Sequence, residues 1–136
     1  MRGHTDEPLY ERAARAMLSN LHAALQGSVK VPPHDDGAEA WLALTLFYDD
    51  TARPGALWKL EEIFSTADYI KDEIPEWPEV AGAFLRLRER GWLAEDGDRW
   101  GLTREGRNAL DEIVTLKMVG ESLVQLESWL AAHSPP

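Results

Sequence analysis

The chain is predicted to be mainly α-helical, with one small β-hairpin and a long helix at each end. Three observations carry that expectation. Apolar residues recur at steps of three and four through several segments, which is the spacing of one face of an α-helix. Asp96-Gly97-Asp98 separates two short runs, Trp92–Glu95 and Arg99–Leu102, and Asp-Gly accepts the positive φ that tight hairpins need. Prolines and glycines punctuate the edges of most periodic runs, as they do at helix starts and stops.

The elements follow in order. From Glu7 to Leu25, Tyr10, Ala14, Met17, Leu18, Leu21 and Leu25 mark one helical face. Asp6 is its expected N-cap, Pro8 suits its first turn and Gly27 its C-terminal stop, giving an N-terminal helix over 7–26. Ser28 to Gly37 reads as a loop. A second helix, Ala38 to Tyr48, is apolar nearly all round through Trp41, Leu42, Leu44, Leu46 and Phe47, so it should be central to the core. Asp49-Asp50-Thr51 is expected to end it, and Arg53-Pro54-Gly55 to make a turn. A third helix is expected over Ala56 to Phe64, placing Trp58 in a core helix, with Ser65 or Thr66 capping a short continuation. Pro75 and Pro78 bracket a connector. The next helix, Pro78 to Arg90, has Val80, Phe84, Leu85 and Leu87 inward, Pro78 first and Gly91 as its left-handed cap. Trp92 and Trp100 are expected to pair across the hairpin. Thr103 is the predicted N-cap of a single last helix, 104–132. Its weak point is Gly120, which costs about 1 kcal/mol relative to Ala. A length of 136 residues suits one domain, 1–136.

Composition excludes several function classes. With no cysteine, disulfides and thiolate metal sites are out and a cytoplasmic location is the default. No apolar run approaches the ~18 residues of a membrane span, and the N-terminus has no secretory apolar core, so no membrane partner is expected. The net charge is −10. DNA binding needs Lys or Arg to neutralise phosphates. Residues 76–107 hold 6 of the 14 basic groups, all arginine, against 7 acidic ones. Residues 108–136 hold 4 acidic groups and 1 basic.

Candidate chemistry is sparse. His34-Asp35-Asp36 with Asp49-Asp50 could supply oxygen ligands, but the Gly and Glu of a calcium loop are missing. These residues read as a polar loop beside helix ends. Glu61-Glu62 reads as a solvated face. No histidine sits in a nucleophile or metalloprotease motif, so no catalytic residue, metal or cofactor is expected.

Residues 38–113 run helix, turn, helix, hairpin, helix. Residues 84–107 carry Leu87 with Gly91, then Leu102-Thr103 with Glu105-Gly106-Arg107. In that order and those motifs the chain resembles the winged helix-turn-helix domain, and its tail is similar to those of MarR-type and PadR-type regulators. Thr66-Ala67-Asp68-Tyr69-Ile70 followed by Ile74-Pro75 is also similar to a segment of uncharacterised bacterial proteins of this fold. The expected fold class is therefore mainly α, a winged helix-turn-helix with a β-hairpin wing and long terminal helices.

The resemblance implies that Pro78–Arg90 is the recognition helix and Glu95–Arg99 the wing tip. In DNA-binding members the first turns of that helix enter the major groove. Here those turns offer Glu76, Trp77, Pro78, Glu79, Ala81, Gly82 and Ala83, with none of the bidentate base readers. The wing tip is acidic as well. The expected function is thus a non-enzymatic regulatory or adaptor role through protein contacts, with Trp77, Glu79, Asp96 and Asp98 as candidate interface residues. The alternative is a dimeric DNA-binding transcription regulator using Arg86, Arg90, Arg99, Arg104 and Arg107. The last helix is apolar over most of its circumference. Leu116, Val119, Leu123, Leu126 and Leu130 are the candidate homodimer contacts, unless that surface packs on the helix holding Met17 and Leu21.

Overall fold

The computed structural model describes residues 9–31, 36–70, 75–115 and 118–135. Over these residues the chain forms α1 (Leu9–Leu25), α2 (Asp36–Ala52), β1 (Trp58–Lys59), α3 (Leu60–Ile70) and α4 (Trp77–Arg90). It continues through β2 (Leu93–Asp96), β3 (Arg99–Leu102), α5 (Arg104–Ile113) and α6 (Val119–Ala132). The architecture is mainly helical with a small antiparallel sheet of strand order β1-β3-β2. No helix among the described residues is long and apolar enough to cross a membrane. The expected Asp6 cap, Pro8, His34, Asp35 and Leu116 lie outside the described residues.

Helix α2 is the axis of the core. Every residue from Ala38 to Leu46 is buried, because α3, α4, α5, α6 and β3 all pack on it. A helix enclosed on all sides has no use for a polar face, and its sequence lacks one. It runs beyond the expected stop, so Asp49 and Asp50 lie inside its C-terminal part and are buried. Helix α1 buries Ala14, Met17, Leu21 and Ala24 and packs on α3 and α4, whereas α6 packs on α2. The C-terminal apolar surface therefore finds α2 rather than the helix of Met17 and Leu21.

Several expectations are corrected. The expected third helix starts at Leu60, not Ala56, because Trp58 and Lys59 form a strand paired with Trp100 and Arg99 of β3. This pairing is with a segment some 40 residues away, which local periodicity cannot register. Trp58 is consequently a half-buried strand residue, with the Arg53 guanidinium 4.7 Å from its ring centre. Helix α3 then runs unbroken through Ser65 and Thr66, so neither residue caps a second helix.

Trp92 and Trp100 do not pair. The register sets Asp96 opposite Arg99 and Glu95 opposite Trp100, and a Gly97-Asp98 turn then leaves Trp92 opposite Thr103, whose N–H donates to Trp92 O at 2.8 Å. Trp100 packs edge-on to Phe84 at 5.3 Å and near His22 at 5.6 Å. Trp92 instead meets Trp129 at 5.7 Å.

The expected single last helix is two. Helix α5 ends at Ile113, and α6 begins at Val119, so Gly120 lies in the first turn of α6 and not at the break. Thr115 N–H donates to Gln125 Oε1 (3.2 Å), and Gln125 Nε2 donates to Thr115 Oγ1 (2.9 Å). A side chain of α6 thus satisfies the backbone where the chain leaves α5.

The residues that carried the family resemblance tie three elements together. Gly91 takes φ 81° after α4, the left-handed cap that glycine adopts without penalty. Thr103 Oγ1 donates to Gly91 O (2.7 Å) and accepts from Gly106 N–H (3.0 Å), so one hydroxyl caps α5 and fastens it to the end of α4. A Cβ on Gly106 would lie 2.8 Å from Trp92 Cβ and 2.9 Å from its carbonyl oxygen. Only glycine lets α5 approach the chain entering β2 this closely.

Candidate functional site

The surface on which both expected functions depend is built from α4 and the β2–β3 hairpin. Helix α4 begins with Trp77, placing Pro78 second, and Glu76 N–H donates to Glu79 Oε1 (3.2 Å). Glu79 therefore satisfies a free amide at the helix start, where its charge also suits the helix dipole. Trp77 is half-buried and packs against the core. Its aromatic area is spent partly on the fold.

The outward side of α4 is defined by what it leaves uncovered. Val80, Ala81, Ala83, Phe84, Leu87 and Arg90 are buried. Pro78, Gly82, Leu85 and Glu89 recur at helical spacing on the other side and are half-buried or exposed. A Cβ on Gly82 would meet nothing within 4 Å. This face is apolar and small, with Glu89 at one end; the cations flanking it, half-buried Arg86 and exposed Arg88, lie beside Glu39, Glu89 and Glu95.

Four arginines of this region, Arg86, Arg88, Arg90 and Arg107, are engaged by carboxylates of the chain itself, and of these Arg90 is buried. Arg90 is buried; its Nε donates to Glu39 Oε2, its Nη1 to His133 O, and its Nη2 lies 3.4 Å from Leu130 O. Its guanidinium also lies 5.4 Å and 5.7 Å from the rings of Trp92 and Trp129. Arg86 leans on the same Glu39, Nε to Oε1 at 3.7 Å, and reaches Glu89 at 4.0 Å. Arg107 makes a two-pronged pair with Asp50, Nη2 to Oδ1 at 3.2 Å, and this carboxylate raises the Arg107 pKa. Arg88 is bidentate to Glu95, both contacts 2.9 Å, and donates to Leu25 O at 2.9 Å; Glu95 raises its pKa too. Such pairs use the planar fork that would otherwise engage a phosphate.

Of the five arginines expected to grip DNA, Arg90 is thus buried and paired, and Arg107 and Arg86 are half-buried with carboxylates beside them. Arg99 and Arg104 are exposed, with no ion-pair partner among the described residues. The hairpin tip keeps Asp96 exposed, and Asp98 lies 3.1 Å from His22 Nε2 of α1. The partners that fix these arginines, Glu39, Asp50 and Glu95, escaped the sequence reading. Glu39 is the one that carried a signal: it is a lone charge inside the otherwise apolar run Ala38–Leu44.

The candidate dimer residues divide. Leu126 and Leu130 are buried in the core of the chain itself, while Val119 and Leu123 are half-buried. Among the described residues, the large apolar side chains exposed in this region are Met118 and Val124.

One buried group stands apart from these pairs. Asp49 accepts from Thr66 Oγ1, and its Oδ2 is buried with no hydrogen-bond partner. Burial raises its pKa from 3.8 to about 6, against the lowering effect of Thr66 and with a further push from Glu62. Asp49 and Asp50 are thus engaged with Thr66 and Arg107. Among the described residues no group of three His, Asp or Glu side chains is placed to hold a metal ion.

Compared with protein-family models, curated proteins and solved structures, the chain matches none of them.

Proposed function

We propose that this chain is a non-enzymatic winged-helix protein, regulatory or adaptor in role, that works by binding another protein through the outward face of α4 and the hairpin. The winged-helix reading is supported by the order α2-β1-α3-α4-β2-β3-α5, with a β-hairpin whose second strand pairs with an early short strand. The observation that carries the functional reading is the fate of the arginines. Arg88, Arg90 and Arg107 spend their guanidinium forks on Glu95, Glu39 and Asp50, and the free side of α4 presents Pro78, Gly82, Leu85 and Glu89. Apolar contact with a polar rim is the make-up of protein interfaces, and it lacks the cations that dominate affinity for DNA.

The second reading, DNA binding, draws support from Arg99 and Arg104, both exposed beside the hairpin. A mobility-shift titration with duplex fragments at low and moderate salt separates the two. We expect no shift at low salt. A shift that weakens steeply with salt overturns the protein-contact reading.

Gly82→Arg tests the surface directly, because the added side chain enters open space and glycine is a poor helix former. The expected result is loss of partner capture with an unchanged or raised melting temperature. Retained capture would exclude this face of α4.

A further inference from the structure

Helices α5 and α6 both lie on α2 but touch each other sparsely. Between them is an open groove of about 560 Å³ lined by Ala109, Glu112, Ile113, Gln125, Ser128 and Trp129. Its floor is apolar. Ala109, Ile113 and Trp129 are partly buried residues packed against the core. The Trp129 indole is also held in place, stacked on His133 at 4.1 Å and meeting Trp92 at 5.7 Å. Past Gln125 the surface continues onto Met118 and Val124, which are 66% and 62% exposed.

Among the described residues the rim has one sign. Glu112 on α5 and Glu121 on α6 flank this surface, both exposed, and neither has an ion-pair partner among the described residues. The described residues from Asn108 to Pro135 include Asp111 and Glu127 as well, and no Lys or Arg.

We infer that this groove receives a basic amphipathic helix from a partner protein. An open trough between two helices fits the apolar face of a third. A rigid, half-buried tryptophan is the residue type most often found at the energetic centre of such contacts. Carboxylates on both banks complement lysines or arginines flanking the partner's apolar stripe. A second copy of this chain fits less well: a two-fold contact places the same patch on both sides, setting Glu112 and Glu121 against their own kind. This surface is distinct from the free face of α4, and the inference does not depend on what that face binds.

The test is a titration of the full chain with a labelled synthetic helix carrying Leu at i, i+3, i+4 spacing and Lys elsewhere, read by fluorescence anisotropy. Its counterpart with Glu in place of Lys is the control. The Leu/Lys helix should bind and the Leu/Glu helix should not. Ser128→Trp, which fills the groove from an exposed position, should weaken binding about tenfold or more without lowering the melting temperature, as truncated hot spots do. The pair Glu112→Lys and Glu121→Lys, both at exposed sites, should weaken it to a similar degree. Reversing Asp96 and Asp98 on the hairpin should change affinity by less than about threefold, as expected of distant charges screened by salt.

Equal binding of both helices overturns the inference. So does equal loss from groove and hairpin reversals, which would mean attraction to the net charge alone. A sedimentation mass of two chains that falls to one on Ser128→Trp would assign the groove to a second copy instead. That outcome would leave the α4 proposal untouched.

Discussion

At its N-terminal end α2 buries Glu39, and at its C-terminal end it buries Asp49 and Asp50. Glu39 has a nearly ideal setting: the helix dipole favours a carboxylate there, the Arg90 guanidinium grips it, and Arg86 lies beside it. At the other end the dipole opposes negative charge. Asp50 is rescued by Arg107 and by Gly55 N–H at 3.0 Å. Asp49 gets a hydroxyl and no cation. The same helix thus holds one buried carboxylate gripped by a guanidinium and another with no cation, whose pKa burial raises to about 6. What separates them is the partner, not the depth of burial.

The largest test of this contrast is Arg90→Ala. It leaves Glu39 buried and uncompensated, and breaking such a pair costs about 3–5 kcal/mol, measurable by urea unfolding. Arg90→Lys should recover only part of the loss, since an ammonium cannot reach the carboxylate and two carbonyls with a planar fork. A loss below about 1 kcal/mol would class the pair with exposed ones.

At the opposite end, Asp49→Asn should stabilise the protein above pH 7 by roughly 1–3 kcal/mol, since each unit of pKa shift is worth about 1.4 kcal/mol. The sign follows from linkage. A carboxyl raised from 3.8 to about 6 keeps its proton in the folded state where the unfolded chain has released it. Its contribution is therefore present below the unfolded value and lost as pH rises through about 6. The difference in stability between wild type and Asp49→Asn should grow over that window and level off above it. A flat difference would place the Asp49 carboxyl in water.

A smaller effect is expected from Thr66→Val. Removing the hydroxyl that donates to Asp49 should move its pKa further up and lower stability near pH 8 by about 1 kcal/mol. Carboxyl titration by nuclear magnetic resonance would follow it, and an unmoved Asp49 would show that Thr66 contributes nothing.

Local signals in the sequence located what is locally determined. Helix α4 was legible from Pro78 and Gly91, the hairpin from Asp96-Gly97, and the α5 start from Thr103, because caps and turns depend on residues a few positions apart. Strand β1 was not legible: its two residues are helix-compatible and become a strand by pairing with β3. Nor was the break before α6, where a glutamine ten residues ahead satisfies the backbone of Thr115. For the candidate site, the acidic hairpin and the lack of base-reading residues on α4 could be read directly. The disposition of the arginines could not, since Arg90 and Arg107 find partners 51 and 57 residues away.

Exposure is a poor guide to what the residues closing α6 do. His133 is an exposed residue, yet its carbonyl oxygen accepts from the buried Arg90 guanidinium. Cutting the chain after Leu130 would remove mainly exposed residues while stripping an acceptor from the buried guanidinium of Arg90. The tail acts as a stopper on the core, and shortening it should lower the melting temperature more than deleting an equal length of ordinary surface.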